Sequence, residues 1–141
     1  MIRVAFASSD RVRVDQHFGA AENFAVYDVT PDKATLVGVA EFAEESMDGN
    51  EGKLAAKVDF LEGCAAVYVL AIGASAIKQL TARGIQPIRI NEVDRLDDLL
   101  RDISTAIGAG GVAWIERAIA AQARAGTGDR FATMEKEGWE G

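Results

Sequence analysis

Residues 65–72, Ala-Ala-Val-Tyr-Val-Leu-Ala-Ile, form an unbroken apolar run bounded by Gly63-Cys64 and Gly73. A strand so uniformly apolar is stable where both of its faces are covered, as inside a sheet with helices on either side. Upstream, period-two patterning and short apolar runs mark strands at 2–8, 23–29 and 35–42, which carry Val4 and Phe6, then Phe24, Val26 and Val29, then Leu36, Val37, Val39 and Phe42. Thr30-Pro31-Asp32-Lys33 lies between the last two as a tight turn, so those strands pair as an antiparallel hairpin. Leu54, Val58 and Leu61 stand at i, i+4 and i+7, a helix face closed by Gly63.

Downstream of the run, a helix extends from Gly73 to about Arg83 and ends at Gly84. A short strand at 85–90 contains Pro87, which points to a sheet edge or a strand start. Asp94 is the candidate cap of the next helix, whose face of Leu96, Leu99, Leu100, Ile103 and Ile107 is the strongest amphipathic pattern in the chain. Gly108, Gly110 and Gly111 break it, and a last helix covers 112–125 with Trp114, Ile115 and Ile119. The order βββαβαβα plus a terminal helix predicts an α/β domain over 1–125, with a mixed sheet of about five strands and helices on its faces. The segment 126–141 has little to bury and is expected to be a flexible tail.

The 141 residues include one cysteine and one histidine. That count excludes an internal disulfide, a closed four-ligand zinc site and a self-contained cluster of four thiolates. A bound metal centre would bring ligands of its own, borrow them from a second chain, or use carboxylates. The net charge of −7 disfavours general nucleic-acid binding. No segment approaches 18 consecutive apolar residues and the opening run is too short for a secretory signal, so a cytoplasmic location is expected. The stretch Glu41, Glu44, Glu45, Asp48 and Glu51 has five carboxylates and no Lys or Arg, and is read as a solvated loop.

Chemistry concentrates in the segment after the first strand, Ser8-Ser9-Asp10-Arg11-Val12-Arg13-Val14-Asp15-Gln16-His17-Phe18-Gly19. In open α/β sheets ligands collect beyond the carboxyl ends of strands. If the strands at 2–8 and 65–72 are parallel, Gly73-Ala74-Ser75 opens a helix at the same edge. Its free N–H groups beside Arg11 and Arg13 would favour an anion, with Ser9, Gly73 and Ser75 within the site. Each residue also has a plainer reading. His17 can be a hydrogen-bonded surface residue, Cys64 a small apolar filler, and Gly73 a strand–helix turn. One of the alternating arginines can simply face solvent.

Val14-Asp15-Gln16-His17-Phe18-Gly19, following the Ser8-Ser9-Asp10 strand end, resembles the signature of the nitrogenase iron–molybdenum cofactor biosynthesis family, which includes NifX, NifY, NafY and the carboxyl-terminal domain of NifB. Gly52-Lys53-Leu54-Ala55-Ala56-Lys57, Leu61 through Tyr68, and Ala71 through Ala76 resemble it in the same order, so the likeness covers about residues 1–120. Family members carry paired prolines before a terminal Trp helix, where this chain has Gly111-Val112-Ala113 ahead of Trp114. The resemblance implies a ribonuclease-H-like fold and no enzymatic activity. It implies a carrier that binds iron–molybdenum cofactor or its iron–sulfur precursor as transient cargo. The carrier passes it between assembly proteins, from a NifB-like donor to a scaffold acceptor, with apo-dinitrogenase as a further partner.

In that reading His17 contacts the cluster, Arg11 and Arg13 offset its charge, and Cys64 is a lesser candidate ligand. Imidazole is a reasonable iron ligand, and few protein bonds suit a cargo that must be released. A competing reading is a protein-interaction module that holds apo-dinitrogenase or a scaffold without touching the cluster. A nuclease, built on Asp10, Asp15 and Asp28, is the weakest alternative, because two-metal hydrolysis needs converging carboxylates.

Overall fold

The computed structural model describes residues 1–42, 50–92 and 94–122. Most of the acidic stretch 41–51 and the whole segment 126–141 lie outside the described residues.

The first strand, β1 (Ile2–Ala7), lies at the centre of the sheet. It pairs antiparallel with β3 (Asn23–Val29), which pairs antiparallel with β4 (Ala34–Glu41). On its other side it pairs parallel with β5 (Ala66–Val69), which pairs parallel with the edge strand β6 (Gln86–Arg89). The resulting order β4-β3-β1-β5-β6 is the five-stranded mixed sheet that the pattern predicts. Thr30 closes the expected hairpin: its N–H donates to Lys33 O at 2.8 Å, and its Oγ1 accepts from the N–H groups of Asp32 and Lys33. Pro87 sits on the exposed-edge strand, where its missing donor is tolerated.

Strand alternation divides the core into two layers. One face of the sheet sends Ala5, Ala7, Phe24, Val26, Val67 and Val69 against α1 (Asn50–Phe60) and α2 (Ala74–Ala82), which supply Val58, Ala76 and Leu80. The other sends Val4, Phe6, Ala25, Val29 and Tyr68 against α3 (Leu96–Ala109) and a helical run over 113–122, which supply Leu96, Leu100, Ile103 and Ile115. Phe6 stacks on Tyr68 at 5.2 Å between ring centres, and Tyr68 meets Trp114 edge-on at 6.4 Å. These contacts dock the terminal helix on the sheet through large aromatic areas.

The apolar run 65–72 supplies a shorter strand than expected. β5 ends at Val69 because β1, its partner, ends at Ala7. Beyond that point the chain pairs with the loop after β1 instead: Leu70 N–H donates to Gln16 O at 3.0 Å, and Ala71 bridges His17 in parallel.

Asp94 does not cap the following helix. It belongs to β7 (Asp94–Arg95), a two-residue strand antiparallel to β2 (Arg13–Val14), and its carboxylate accepts from the N–H of Arg95 at 2.8 Å. Arg95 occupies the cap position of α3 with no side-chain cap bond, and the first-turn carboxylates Asp97 and Asp98 complement the helix dipole instead. β4 carries an irregularity opposite Val26/Tyr27, where Val37 is the extra residue, and its Leu36, Val37 and Val39 are 46%, 44% and 38% exposed.

The turn out of α3 uses glycine where proline would not fit. Gly110 and Gly111 have φ of 79° and 96°, and the Gly111 N–H donates to a Glu116 carboxylate oxygen at 2.6 Å. Proline fixes φ near −65° and has no N–H. Gly111→Pro is therefore expected to destabilise the protein by about 2 kcal/mol or more, since it loses a charged hydrogen bond and a left-handed turn together. A urea unfolding midpoint measures this, and an unchanged midpoint would refute the account of the turn.

Candidate functional site

Where β1 stops, the chain makes a tightly bonded loop over residues 8–19. Ser8 is fully buried, and its Oγ accepts the Arg11 N–H at 2.8 Å and donates to Asp10 Oδ1 at 3.2 Å. Asp10 Oδ1 in turn accepts the N–H groups of Val12 and Arg13 at 2.8 and 3.0 Å, while its Oδ2 pairs with the Arg13 guanidinium at 3.2 Å. Backbone N–H donors from Val12 and then Arg13 hold the Asp10 carboxyl well below the usual aspartate range. The tight turn sets Arg11 at φ 62°, a left-handed conformation uncommon outside glycine. Asp15 closes the loop on itself, accepting the Ser9 N–H at 2.9 Å and the Ser9 hydroxyl at 2.6 Å.

The second half of the loop is fastened to the end of β5. Gln16 offers its main-chain carbonyl to Leu70 and its side-chain carbonyl to the N–H of Glu22 at 3.1 Å. Phe18 is fully buried beside Phe24, and its N–H donates to Ala71 O at 2.8 Å. His17 lies between these two anchors, so its backbone is fixed while its side chain is exposed. Two residues beyond Ala71, Gly73 takes the cap position of α2 in an extended conformation with no side-chain cap bond. The sequence expectation of a shared edge therefore holds: β1 and β5 are parallel, and His17 and the α2 N-terminus leave the same end of the sheet.

Arg11 and Arg13 are exposed on this loop. Register places Arg13 directly opposite Arg95 on the β2–β7 ribbon, and like charges facing across strands repel. Asp10 offsets Arg13 at 3.2 Å, and Asp97 stands 3.7 Å from the Arg95 guanidinium. Each guanidinium of the facing pair thus has a carboxylate beside it. Arg95 has no sequence signal of its own, since a two-residue strand shows no periodicity.

The other proposed residues divide clearly. Ser75 is exposed in the first turn of α2, its hydroxyl 3.4 Å from the Gln79 amide, whereas the Ser9 hydroxyl is committed to Asp15. Cys64 is not brought to this loop. It is 5% exposed in the core beside the start of β5, and burial pushes its thiol up to about 12. The Cys64-to-Ala71 stretch separates it from His17 by roughly 20 Å at ordinary strand rise. Asp28 is likewise remote, bonded to Arg3 at 2.8 and 3.2 Å, so Asp10, Asp15 and Asp28 do not converge. Among the described residues no three His, Cys, Asp or Glu side chains are disposed to hold a metal ion. Lys57 is a contact that the pattern reading missed: its ammonium reaches from α1 to Gly19 O at 2.7 Å. Its place among Leu54, Val58 and Leu61 on an apolar face was the available signal.

Comparison with known proteins gives a consistent family. The family model described as dinitrogenase iron-molybdenum cofactor matches residues 1–106. Protein NifX of Azotobacter vinelandii is 47% identical over 140 residues, covering 99% of this chain and 88% of that protein. Protein NifX of Klebsiella pneumoniae is 32% identical over 141 residues, covering 99% and 85%. The crystal structure of PH0822 superposes with a TM-score of 0.58 at 25% identity, over 73% of this chain and 88% of that one.

The depressed Asp10 carboxyl makes the loop pH-sensitive. Its contribution to stability is complete above the unfolded aspartate value of about 4 and is lost as pH falls below it. The difference in thermal midpoint between the wild type and Asp10→Asn is therefore expected to be largest near neutral pH and to shrink steadily in acid below about pH 4. A pH-independent difference would contradict this assignment.

Proposed function

The chain belongs to the dinitrogenase iron-molybdenum cofactor family, and from that premise we propose that it is a non-enzymatic cofactor carrier. Its role is in nitrogenase cofactor assembly. It holds iron–molybdenum cofactor, or an iron–sulfur precursor, at the loop over residues 8–19 and passes it from a NifB-like donor to a scaffold acceptor or to apo-dinitrogenase. The single observation that carries this reading is the exposed imidazole of His17. It is fixed by backbone bonds on both sides and stands at the sheet end from which the uncapped α2 helix also starts.

The chemistry follows from those parts. An iron–sulfur cargo arrives with its own sulfides, so one imidazole nitrogen is enough to hold it. Arg11, Arg13 and Arg95 offset its negative charge, and the α2 N-terminus at Gly73-Ala74-Ser75 adds N–H donors. A single iron–nitrogen bond supported by screened charges also breaks readily on transfer. Cys64 takes no part in this reading, because a buried protonated thiol far from His17 is not a ligand to the same cargo. No helix among the described residues is long and apolar enough to cross a membrane.

His17→Ala is expected to lower cargo retention at least about tenfold, read as iron and sulfide per chain after anaerobic isolation from cells assembling nitrogenase. Substituting Arg13 and Arg95 together by Gln is expected to weaken retention and flatten its dependence on salt. Undiminished iron in His17→Ala would sink the carrier reading and favour an interaction module that does not touch the cluster.

A further inference from the structure

We propose that Lys57 is a positioning residue: it hydrogen-bonds the main-chain carbonyls of Phe18 and Gly19 and thereby fixes the segment that presents His17. The consequence for cargo rests on the carrier reading, whereas the effect on the loop does not.

Lys57 lies in the last turn of α1, three residues after Leu54 and four before Leu61, which puts a charged side chain on the apolar face of the helix. A lysine in the last turn of a helix ordinarily reaches solvent or the free carbonyls of that helix. This one is 5% exposed, and its ammonium is 2.7 Å from Gly19 O and 3.4 Å from Phe18 O. Burying an ammonium is costly unless hydrogen-bond acceptors meet it. The two loop carbonyls are among the groups that do so, and the ammonium also stands 5.9 Å from the centre of the Phe42 ring.

The position of these carbonyls gives the contact its consequence. The end of β5 fastens the loop through Gln16 O and Phe18 N–H. Those bonds approach from the sheet and stop at residue 18. Gly19 is exposed, and open space surrounds the position its side chain would occupy. Lys57 approaches from the helix layer and ties down the carbonyls just after His17. Residue 17 is thus held from the sheet and from α1 at once, with its own side chain left for contact. The local geometry also explains why a lysine suits the position: its stem spans the apolar layer between α1 and the loop, and its head carries several donors.

The full chain tests this with Lys57→Met, which keeps the length and apolar stem but removes the donors, and with Lys57→Arg, which keeps charge and donors. Amide hydrogen exchange is read at Phe18 in the loop and at Val67 in the core. In Lys57→Met, exchange at Phe18 is expected to quicken about tenfold or more relative to Val67. Lys57→Arg is expected to recover most of that protection. Iron retention should follow the same order: wild type, then Arg, then Met. Unchanged exchange at Phe18, or an equal change at Phe18 and Val67, would overturn the proposal, the latter by showing general destabilisation only. If Lys57→Met does not fold, Lys57→Gln, whose shorter amide cannot span the same distance, provides the same comparison. Loosening at Phe18 together with full iron retention in His17→Ala would uphold the positioning role and discard the carrier reading.

Discussion

The parallel pairing of β1 with β5 is the constraint on which the rest of the molecule depends. It runs from Val4 opposite Ala66 to Phe6 opposite Tyr68 and buries the centre of the sheet on both faces. Because the strands are parallel, both chains leave the sheet at the same end. β1 continues into the loop that carries His17, and β5 continues through Ala71 to the start of α2. The hydrogen bonds of Leu70 and Phe18 extend the pairing past the end of β1. The candidate site is thus a direct continuation of the central ladder, which gives an exposed loop the rigidity of the core beneath it. This is the usual position of ligands in open α/β sheets, reached here by simple chain geometry.

Electrostatics sharpen that placement. The chain as a whole carries −7, yet the end of the sheet holding His17 presents Arg11, Arg13 and Arg95. Asp10 is largely consumed in binding backbone N–H groups and the Arg13 guanidinium, so it builds the loop. Asp15 is consumed in the same way by Ser9. The carboxylates of the loop therefore shape it, with Asp10 also pairing the Arg13 guanidinium, while Arg11 is exposed.

Much of this was legible in the sequence because it rests on local patterns. The alternation over 23–29, the Thr30–Lys33 turn, Pro87 at an edge and the face of α3 each depend on residues close in the chain. The loop after β1 and the glycine at 73 were also legible, since a strand end and a helix start carry their own residue preferences. What escaped depends on distant pairing. The β2–β7 ribbon joins residues about eighty positions apart through two residues on each side, so local sequence favours Asp94 as a cap and gives no sign of Arg95. The burial of Lys57 is decided by a loop on another element, and the remoteness of Cys64 by which end of β5 it precedes. The apolar run outlasts the strand because strand length is set by the partner, and β1 stops first.

The edge strand β4 has a further bearing on how the protein behaves in a crowded solution. From Ala34 to Ala40 it has no charge and no proline, and it leaves Leu36, Val37 and Val39 substantially exposed. Such an edge would ordinarily template another strand. The extra residue at Val37 interrupts the regular spacing of outward-facing donors and acceptors midway along it, so an incoming straight strand finds matching partners over only half its length. The irregularity therefore works against strand pairing at this edge, and the net negative charge adds mutual repulsion between copies.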